Sequence, residues 1–265
     1  MITEPVRFLN FKLLVANILT SDLVEKAISK IFNNNIPSYD LVVKIHPHFN
    51  GIKSSVFFRI YESAEIKFIR LYLKNNIDVI ELGSSLGILS SHIANRLTEE
   101  YKLICVEANP SLLLNLNDNL VQNAHHLRSY EIINAVIDYR GEEYVNFFIS
   151  DHNTTSSTLV ETSEKHNIKT ITLNRIIKDY HIGKYALVMD IEGAEFDIIK
   201  YDKKSLDQCQ MIIAELHKST SLVEGNSKDA KVKDTASVND LIELICSYGF
   251  ILSKRRDCVC LFERK

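Results

Sequence analysis

Residues 185–195, which read Tyr185-Ala-Leu-Val-Met-Asp-Ile-Glu-Gly-Ala-Glu195, decide the fold that we expect for this chain. Five apolar residues are followed by a carboxylate at Asp190, and then by Glu192, a glycine and Glu195. A short, continuously apolar run bounded by turn residues is typical of a strand buried on both faces of a parallel sheet. The segment therefore predicts a central strand that ends in an acidic turn.

A second segment of the same kind lies earlier in the chain. The apolar run Ile77 to Leu82 leads into Gly83-Ser-Ser-Leu-Gly87, and apolar residues then recur at helical spacing. The carboxyl ends of parallel strands share one edge of the sheet, and open α/β sheets bind their ligands at that edge. We therefore expect the glycine loop and the acidic turn to face the same site.

Strand and helix patterns alternate along most of the remaining chain, as a parallel sheet requires. The segment 250–262 differs, because its two short strands surround a charged turn and are too close for a parallel crossover, which predicts an antiparallel hairpin at the end of the sheet. Residues 1–60 are predicted to form an N-terminal elaboration and residues 61–265 the main domain. Residues 218–236 contain almost no large apolar side chains, and we predict a mobile loop of lid length there.

Composition and charge restrict the kind of partner. The chain has 265 residues, of which 46% are hydrophobic, and its 31 basic and 34 acidic residues give a net charge of -3. That charge provides no electrostatic footprint for nucleic acid or an anionic membrane, and no apolar run approaches the length of about 18 residues that a membrane span needs. The five cysteines form no C-x-x-C pair and lie mostly in apolar runs, which favours a reducing cytoplasm. We expect a small-molecule or sugar-conjugate partner; the sequence predicts no oligomeric state.

The loop Gly83–Gly87 is suited to a nucleotide-like ligand. Glycine lets the backbone approach a ligand, and the free N–H groups at the start of the following helix face an anionic group. The loop is not G-x-G-x-x-G, because Ser85 takes the place of the middle glycine, so a dinucleotide is disfavoured. Glu107 ends the next strand, where a carboxylate can accept both hydroxyls of a ribose. The competing interpretations are an ordinary strand–helix turn and a solvated loop carboxylate.

The acidic turn supplies the candidates for chemistry. Asp190 ends its strand at the ligand-binding edge, whereas Glu192 and Glu195 have a competing structural role, because acidic residues in the first turn of a helix are stabilised by its dipole. His217 follows the next strand and would emerge beside Asp190 if the two strands are neighbours. A histidine at a strand end is otherwise a hydrogen-bonded structural residue.

Taken together, these residues resemble the FkbM family of S-adenosylmethionine-dependent methyltransferases. The resemblance spans roughly residues 61–217. Its most specific part is Asp190-Ile-Glu-Gly-Ala-Glu195, whereas the glycine loop alone would indicate only the wider Rossmann-like class. The other matching segments are Tyr61-Glu-Ser-Ala-Glu65, Glu81-Leu-Gly-Ser-Ser-Leu-Gly-Ile-Leu-Ser90, Val106-Glu-Ala-Asn-Pro110, Asn134-Ala-Val136 and Thr172-Leu173.

The resemblance implies an α/β fold with a Rossmann-like, mostly parallel sheet of seven strands in the order 3-2-1-4-5-7-6, the last strand antiparallel, with helices on both faces. It also implies S-adenosylmethionine as the cofactor and O-methylation of a sugar or another hydroxyl, with polysaccharide precursors and secondary metabolites as the usual acceptors. The implied cofactor-binding residues lie at or just after four strand ends and in the first turn of a helix: Glu81, Gly83, Ser85, Gly87, Ser90, Glu107, Ala108, Asn109, Ala135 and Asp190.

The expected reaction is an in-line displacement, for which the protein chiefly supplies orientation and water exclusion. A hydroxyl acceptor must lose its proton, and we expect Asp190 or His217 to be the general base, with Glu192 in the same site. A divalent ion such as Mg²⁺, held by Asp190 and Glu192, would lower the pKa of that hydroxyl. The alternatives are an acceptor that is not a sugar (a secondary metabolite or an amine), a nicotinamide-dependent oxidoreductase, and a cofactor-binding protein without catalysis.

Overall fold

The computed structural model describes residues 15–49, 51–149, 164–222 and 232–265, and the chain divides into two compact units, Met1–Ser63 and Ala64–Lys265. In the first unit, helix α1 (Asp22–Phe32) is followed by the antiparallel strands β1 (Asn35–Ser38) and β2 (Leu41–Lys44), and by helix α2 (Lys53–Phe57). The buried carboxylate of Glu25 accepts the backbone N–H groups of Lys53 and Ser54 at 3.2 and 2.7 Å, which ties α1 to the start of α2.

The second unit is built around one sheet of seven strands. In chain order these strands are β3 (Asp78–Leu82), β4 (Lys102–Glu107), β5 (Ser129–Asn134), β9 (Tyr185–Met189), β10 (Cys209–Glu215), β13 (Phe250–Arg256) and β14 (Val259–Arg264). Their order across the sheet is β13-β14-β10-β9-β3-β4-β5. The pairs from β10 to β5 are parallel, and β14 is antiparallel to both of its neighbours. The predicted fold class and the terminal hairpin are confirmed.

Helices connect the strands, as the alternation of patterns predicted. They are α3 (Ser63–Tyr72), α4 (Ile88–Arg96), α5 (Leu113–Asn123), α6 (Leu173–Asp179), α7 (Glu195–Tyr201) and α8 (Val238–Ser247), with a 3-10 helix at Lys203–Gln208. A smaller three-stranded sheet contains β6 (Val136–Ile137), β8 (Glu164–Ile171) and β7 (Tyr144–Ile149) in that order. No helix in the described part of the chain has the length and hydrophobicity to cross a membrane.

The strand register brings the predicted site residues to one edge of the sheet. Leu82 pairs with Val106 on one side and with Met189 on the other, so β3, β4 and β9 end together. Met189 also pairs with Ala214 of β10, which leaves Asp190 opposite Glu215. These strands are almost completely buried, and the residues that follow them lie at this carboxyl edge, where open α/β sheets bind ligands.

The segment 218–236, for which we predict a mobile loop of lid length, contains a strand at each end; its mobility and its role as a lid stay predictions. Strand β11 (Ser219–Leu222) pairs antiparallel with β12 (Val232–Ala236), and residues 223–231 between them lie outside the described residues. The sequence pattern did not indicate these strands, because the segment lacks large apolar residues. A short two-stranded ribbon can satisfy its backbone hydrogen bonds without them.

Candidate active site

Gly83, the first residue after β3, packs against the acidic turn rather than leaving open space. Its φ is +84°, and a Cβ atom at this position would lie 1.9 Å from the backbone oxygen of Asp190. The N–H groups of Gly83 and Ser84 both donate to the carbonyl of Val106, at 2.9 and 3.1 Å. In the structure the glycine lets two strand ends touch, and its expected approach to a ligand stays a prediction.

Gly87 has an equivalent role at the other end of the loop. Its φ is +78°, and a Cβ atom would lie 2.9 Å from the Leu116 side chain and 3.0 Å from the Leu116 backbone. The side-chain amides of Asn115 and Asn119 donate to the carbonyl of Leu86 at 2.9 and 2.8 Å. Helix α5 therefore sets the position of the loop just before α4 begins at Ile88.

Glu107 is buried at the end of β4, and both of its carboxylate oxygens already accept backbone hydrogen bonds. The N–H of Ser85, a residue with φ +48°, donates to Oε2 at 2.7 Å, and the N–H of Asn109 donates to Oε1 at 2.7 Å. Burial raises the pKa of Glu107, while these N–H groups lower it. A carboxylate oxygen can accept more than one hydrogen bond. The acceptance of ribose hydroxyls by Glu107 therefore stays a prediction.

Other predicted cofactor residues stabilise the strand ends. The side-chain amide of Asn134 donates to the carbonyls of Glu107 and Ala108 at 2.8 and 3.0 Å, and Ala135 is buried in the core. Asn109 is also buried, and its Oδ1 accepts from the Ser111 N–H and hydroxyl. None of these contacts tests a role in cofactor binding.

Glu81, in β3, is a fully buried carboxylate with an incomplete set of hydrogen bonds. Its Oε2 accepts from the Ser90 hydroxyl at 2.5 Å and from the Cys105 thiol at 3.3 Å. Its Oε1 and the hydroxyl of Ser84 in the following loop are buried and make no hydrogen bond of standard geometry, although Ser84 is near enough to lower the pKa of Glu81. Burial raises the pKa of Glu81 to about 7, although the hydrogen bond from Ser90 acts to lower it.

We predict that Glu81→Gln stabilises the protein at pH 8 and loses this advantage towards pH 5. The pKa of Glu81 rises from 4.5 to about 7 on folding, so the native state binds more protons between these values. The free energy of unfolding contributed by Glu81 therefore falls as pH rises through that window. Glutamine keeps the shape and does not ionise, which makes the gain at pH 8 at most about 3 kcal/mol. Urea unfolding at both pH values measures it.

The exposed Glu99 provides the matched control for this prediction. Glu99→Gln removes a carboxylate that remains in water, so its effect on the free energy of unfolding should be small at both pH values. An advantage of Glu81→Gln that is equal at pH 5 and pH 8 would contradict the raised pKa.

The acidic turn after β9 places its carboxylates in different environments. The N–H of Asp190 donates to the carbonyl of Leu82 at 3.0 Å, and the Asp190 side chain is 33% exposed. Glu192 has φ +53° and is followed by Gly193 at +102°, a left-handed pair that makes the chain turn sharply before α7. Glu195, the first residue of α7, has a fully buried side chain whose Oε1 accepts the N–H of Ile191 at 3.2 Å.

His217 joins the buried and the open parts of this cluster. Its Nδ1 lies 3.0 Å from Glu195 Oε1, and its Nε2 lies 3.9 Å from Asp190 Oδ1 and 3.8 Å from Glu192 Oε2. Glu215 Oε1 is also 3.8 Å from Nε2. Because a carboxylate oxygen can only accept, we assign a hydrogen to Nδ1, which donates to Glu195. Nε2 therefore faces three carboxylates across distances too long for hydrogen bonds.

The pKa values reflect a crowded negative cluster. The hydrogen bond to Glu195 raises the pKa of His217 to about 9, although burial acts to lower it. Burial raises the pKa of Asp190 to about 7, with a further contribution from the charge of Glu215. Burial likewise raises the pKa of Glu65, on α3, to about 7, and Glu215 adds to this shift.

The structure thus brings together Asp190, Glu192 and His217, as we expected, and adds Glu195, Glu215 and Glu65 to the cluster. Glu195 does more than stabilise a helix start, because its carboxylate orients His217. Glu215 lies beside Asp190, and its Oε1 also accepts from the Cys258 thiol at 3.0 Å. Glu65 lies far from the other residues in the sequence, and no pattern predicted its contact with Glu215. The alternation of Glu215 and His217 along one strand was the sequence signal that placed a second carboxylate beside the histidine.

A comparison with protein-family models matches residues 87–252, more than half of the chain, to the methyltransferase FkbM domain. No curated protein sequence matches the chain. The family match agrees with the resemblance found from the sequence motifs.

Solved structures with a similar fold include several methyltransferases. TrmK of M. capricolum, in complex with S-adenosyl-homocysteine, has a TM-score of 0.41 and 10% identity over 76% of this chain and 67% of that chain. Fibrillarin of Aeropyrum pernix, with bound S-adenosyl-L-methionine, gives 0.41 and 13% over 76% and 74%. The ribosomal protein L11 methylase of Lactobacillus delbrueckii subsp. bulgaricus gives 0.41 and 12% over 77% of each chain. Similarity this low says nothing about the acceptor.

Proposed function

Because this chain belongs to the FkbM family of S-adenosylmethionine-dependent methyltransferases, we propose that it methylates a hydroxyl of a sugar, in a nucleotide sugar or a surface-polysaccharide precursor. The observation that carries the proposal is the direct contact between the glycine loop and the acidic turn at Gly83 and Asp190. This contact supports a single site in which the cofactor-binding loop adjoins groups that can accept a proton.

The residues at the carboxyl edge fit S-adenosylmethionine, which carries an ammonium group, a sulfonium and two ribose hydroxyls. Glu81 Oε1 is a buried acceptor that makes no hydrogen bond of standard geometry, and the carboxylate of Glu107 ends the neighbouring strand. We propose that Glu81, Glu107 and the loop Gly83–Gly87 hold the cofactor. The negative charge of these groups and of the acidic turn suits a cationic methyl donor.

The bound cofactor supplies a methyl group, which forms a bond to the acceptor oxygen as its carbon–sulfur bond breaks. The hydroxyl proton must then leave the acceptor, and we propose that the acidic cluster takes it. Asp190 is the better placed of the two candidate bases, because its backbone contacts the glycine loop and its Oδ1 accepts no hydrogen bond. His217 already uses Nδ1 to bind Glu195, which leaves only Nε2 facing the site.

An amine acceptor is the second candidate, because one observation favours it. Asp190, Glu192 and Glu215 surround one face of His217, and in the described part of the chain no lysine or arginine pairs with them. The excess of carboxylates over the single His217 ring suits an ammonium group of an acceptor.

The test is to incubate the protein with methyl-labelled S-adenosylmethionine and a panel of nucleotide sugars, glycolipid precursors and amines, and to locate the label by mass spectrometry. We expect it on a ring hydroxyl of a sugar. Label on nitrogen would replace the sugar proposal with the amine. Cofactor binding without transfer to any member of a wide panel would favour a protein that binds the cofactor without catalysis.

A further inference from the structure

The gap in front of His217 Nε2 has the ligands of a metal site. Asp190, Glu192 and His217 offer one ligand atom each, and these atoms lie within 4.8 Å of one another. From Nε2, the nearest oxygens of Asp190, Glu192 and Glu215 are 3.8–3.9 Å away. Ligands of one ion with bonds of about 2.1 Å lie about 3 to 4 Å apart, so a small contraction would close the set around a cation.

Two further observations point to a ligand in this gap. Asp190 Oδ1, which faces Nε2, is a buried atom that accepts no hydrogen bond. Glu195 holds the other ring nitrogen from a fully buried position, and its Oε1 is itself fixed by the N–H of Ile191. A metal-binding histidine almost always donates its second ring N–H to such a carboxylate or carbonyl, which turns the free nitrogen towards the ion.

The charge of the cluster also favours a cation. Three carboxylates face one imidazole nitrogen, and none of them is paired with a lysine or arginine among the described residues. Carboxylates this close together are unfavourable without a positive charge, which the protonated His217 ring supplies in the absence of metal. A divalent ion would displace the Nε2 proton and bring two charges instead of one.

We propose that Asp190, Glu192 and His217 bind a divalent transition-metal ion, with Glu215 within reach as a fourth ligand and Glu195 as a positioning residue for His217. The mixed nitrogen and oxygen set favours Mn²⁺, Fe²⁺ or Zn²⁺ over Mg²⁺, which prefers oxygen ligands alone. This differs from the sequence-based expectation of Mg²⁺ held by Asp190 and Glu192, because His217 belongs to the set. Binding of the ion follows from the geometry; its use in lowering the pKa of an acceptor hydroxyl rests on the proposed function.

The test measures Mn²⁺ binding to the full chain by electron paramagnetic resonance and calorimetry, without cofactor or acceptor. We expect one Mn²⁺ per chain, with a clear preference over Mg²⁺. His217→Ala should weaken Mn²⁺ binding at least tenfold and remove the preference, because only oxygen ligands remain. Glu192→Gln should also weaken binding, and Glu195→Gln should weaken it by about 10- to 100-fold although Glu195 is not a ligand.

His181→Ala is the matched control, because this exposed histidine lies just after α6, and its ring contacts only a backbone carbonyl. It should leave Mn²⁺ binding unchanged, and circular dichroism checks that each variant is folded. Absence of Mn²⁺ binding at millimolar concentration, or equal binding by wild type and a folded His217→Ala, would overturn the site. If Mn²⁺ binds as expected but turnover survives exhaustive chelation, the site stands and its role in methyl transfer is wrong.

Discussion

Replacement of Gly83 by alanine is expected to destabilise the protein severely. The new Cβ would lie 1.9 Å from the backbone oxygen of Asp190 and 2.9 Å from its backbone carbon, at a φ of +84°. Neither atom can rotate away, so β3 or the acidic turn must move. We expect the free energy of unfolding to fall by more than about 4 kcal/mol, an effect that only a severe clash or strain produces. The total free energy of unfolding of a protein is about 5–15 kcal/mol.

The measurement is thermal unfolding of Gly83→Ala beside Gly141→Ala. Gly141 has a nearly equal φ of +87°, but a Cβ there would meet nothing within 4 Å. Alanine at position 141 therefore isolates the cost of the left-handed backbone, about 1 kcal/mol or a few degrees in Tm. Gly83→Ala should lower Tm by about 10 °C or more. Equal shifts in the two variants would contradict the contact between the glycine loop and the acidic turn.

An Asp190→Asn variant is expected to bind S-adenosylmethionine with nearly unchanged affinity and to lose methyl transfer by about 10²- to 10⁴-fold, the usual contribution of a general base. The amide has almost the shape of the carboxylate, and the contact with Gly83 is made by the backbone, so the cofactor loop should not move. The amide neither accepts the hydroxyl proton nor carries the charge that holds a cation. Initial rates with labelled cofactor and calorimetric titration separate the two effects.

Asp179→Asn is the control for this variant. Asp179 is a partly exposed aspartate at the end of α6, paired with Arg175, and its replacement should leave both rate and cofactor affinity unchanged. A turnover of Asp190→Asn within a few-fold of wild type would remove Asp190 from the reaction. A large loss of cofactor affinity would instead place Asp190 in the cofactor site rather than on the acceptor side.

The topology could be predicted because its signals are local. The largely apolar run at 77–82 and the continuously apolar run at 185–189 are too short for helices, and each leads into a turn, so they favoured strands of a buried parallel sheet. Parallel strands then required Gly83, Glu107 and Asp190 to share an edge, and the register confirms that they do. The hairpin at the end of the chain followed from the short distance between its two strands.

Several contacts within the site could not be predicted, because they join residues far apart in the chain. Ser90 and Cys105 meet at Glu81, and helix α5 meets Gly87, only after the strands are stacked in order. Glu195 looked like an ordinary acidic residue at a helix start, and its burial depends on the sharp turn at Glu192 and Gly193. Pattern and propensity contain no information about which way such a side chain turns.

The sequence by itself determined the sheet, the edge at which its polar residues emerge and the family, since periodicity and a contiguous motif are properties of neighbouring residues. Only the tertiary structure decided what those residues do to one another. In the folded chain, Gly83 and Gly87 allow close contacts between protein segments, and Glu195 is buried beside His217. Nε2 of His217 lies 3.8–3.9 Å from three carboxylates. Charge, burial and distance depend on which strands are neighbours, and that is settled only when the chain has folded.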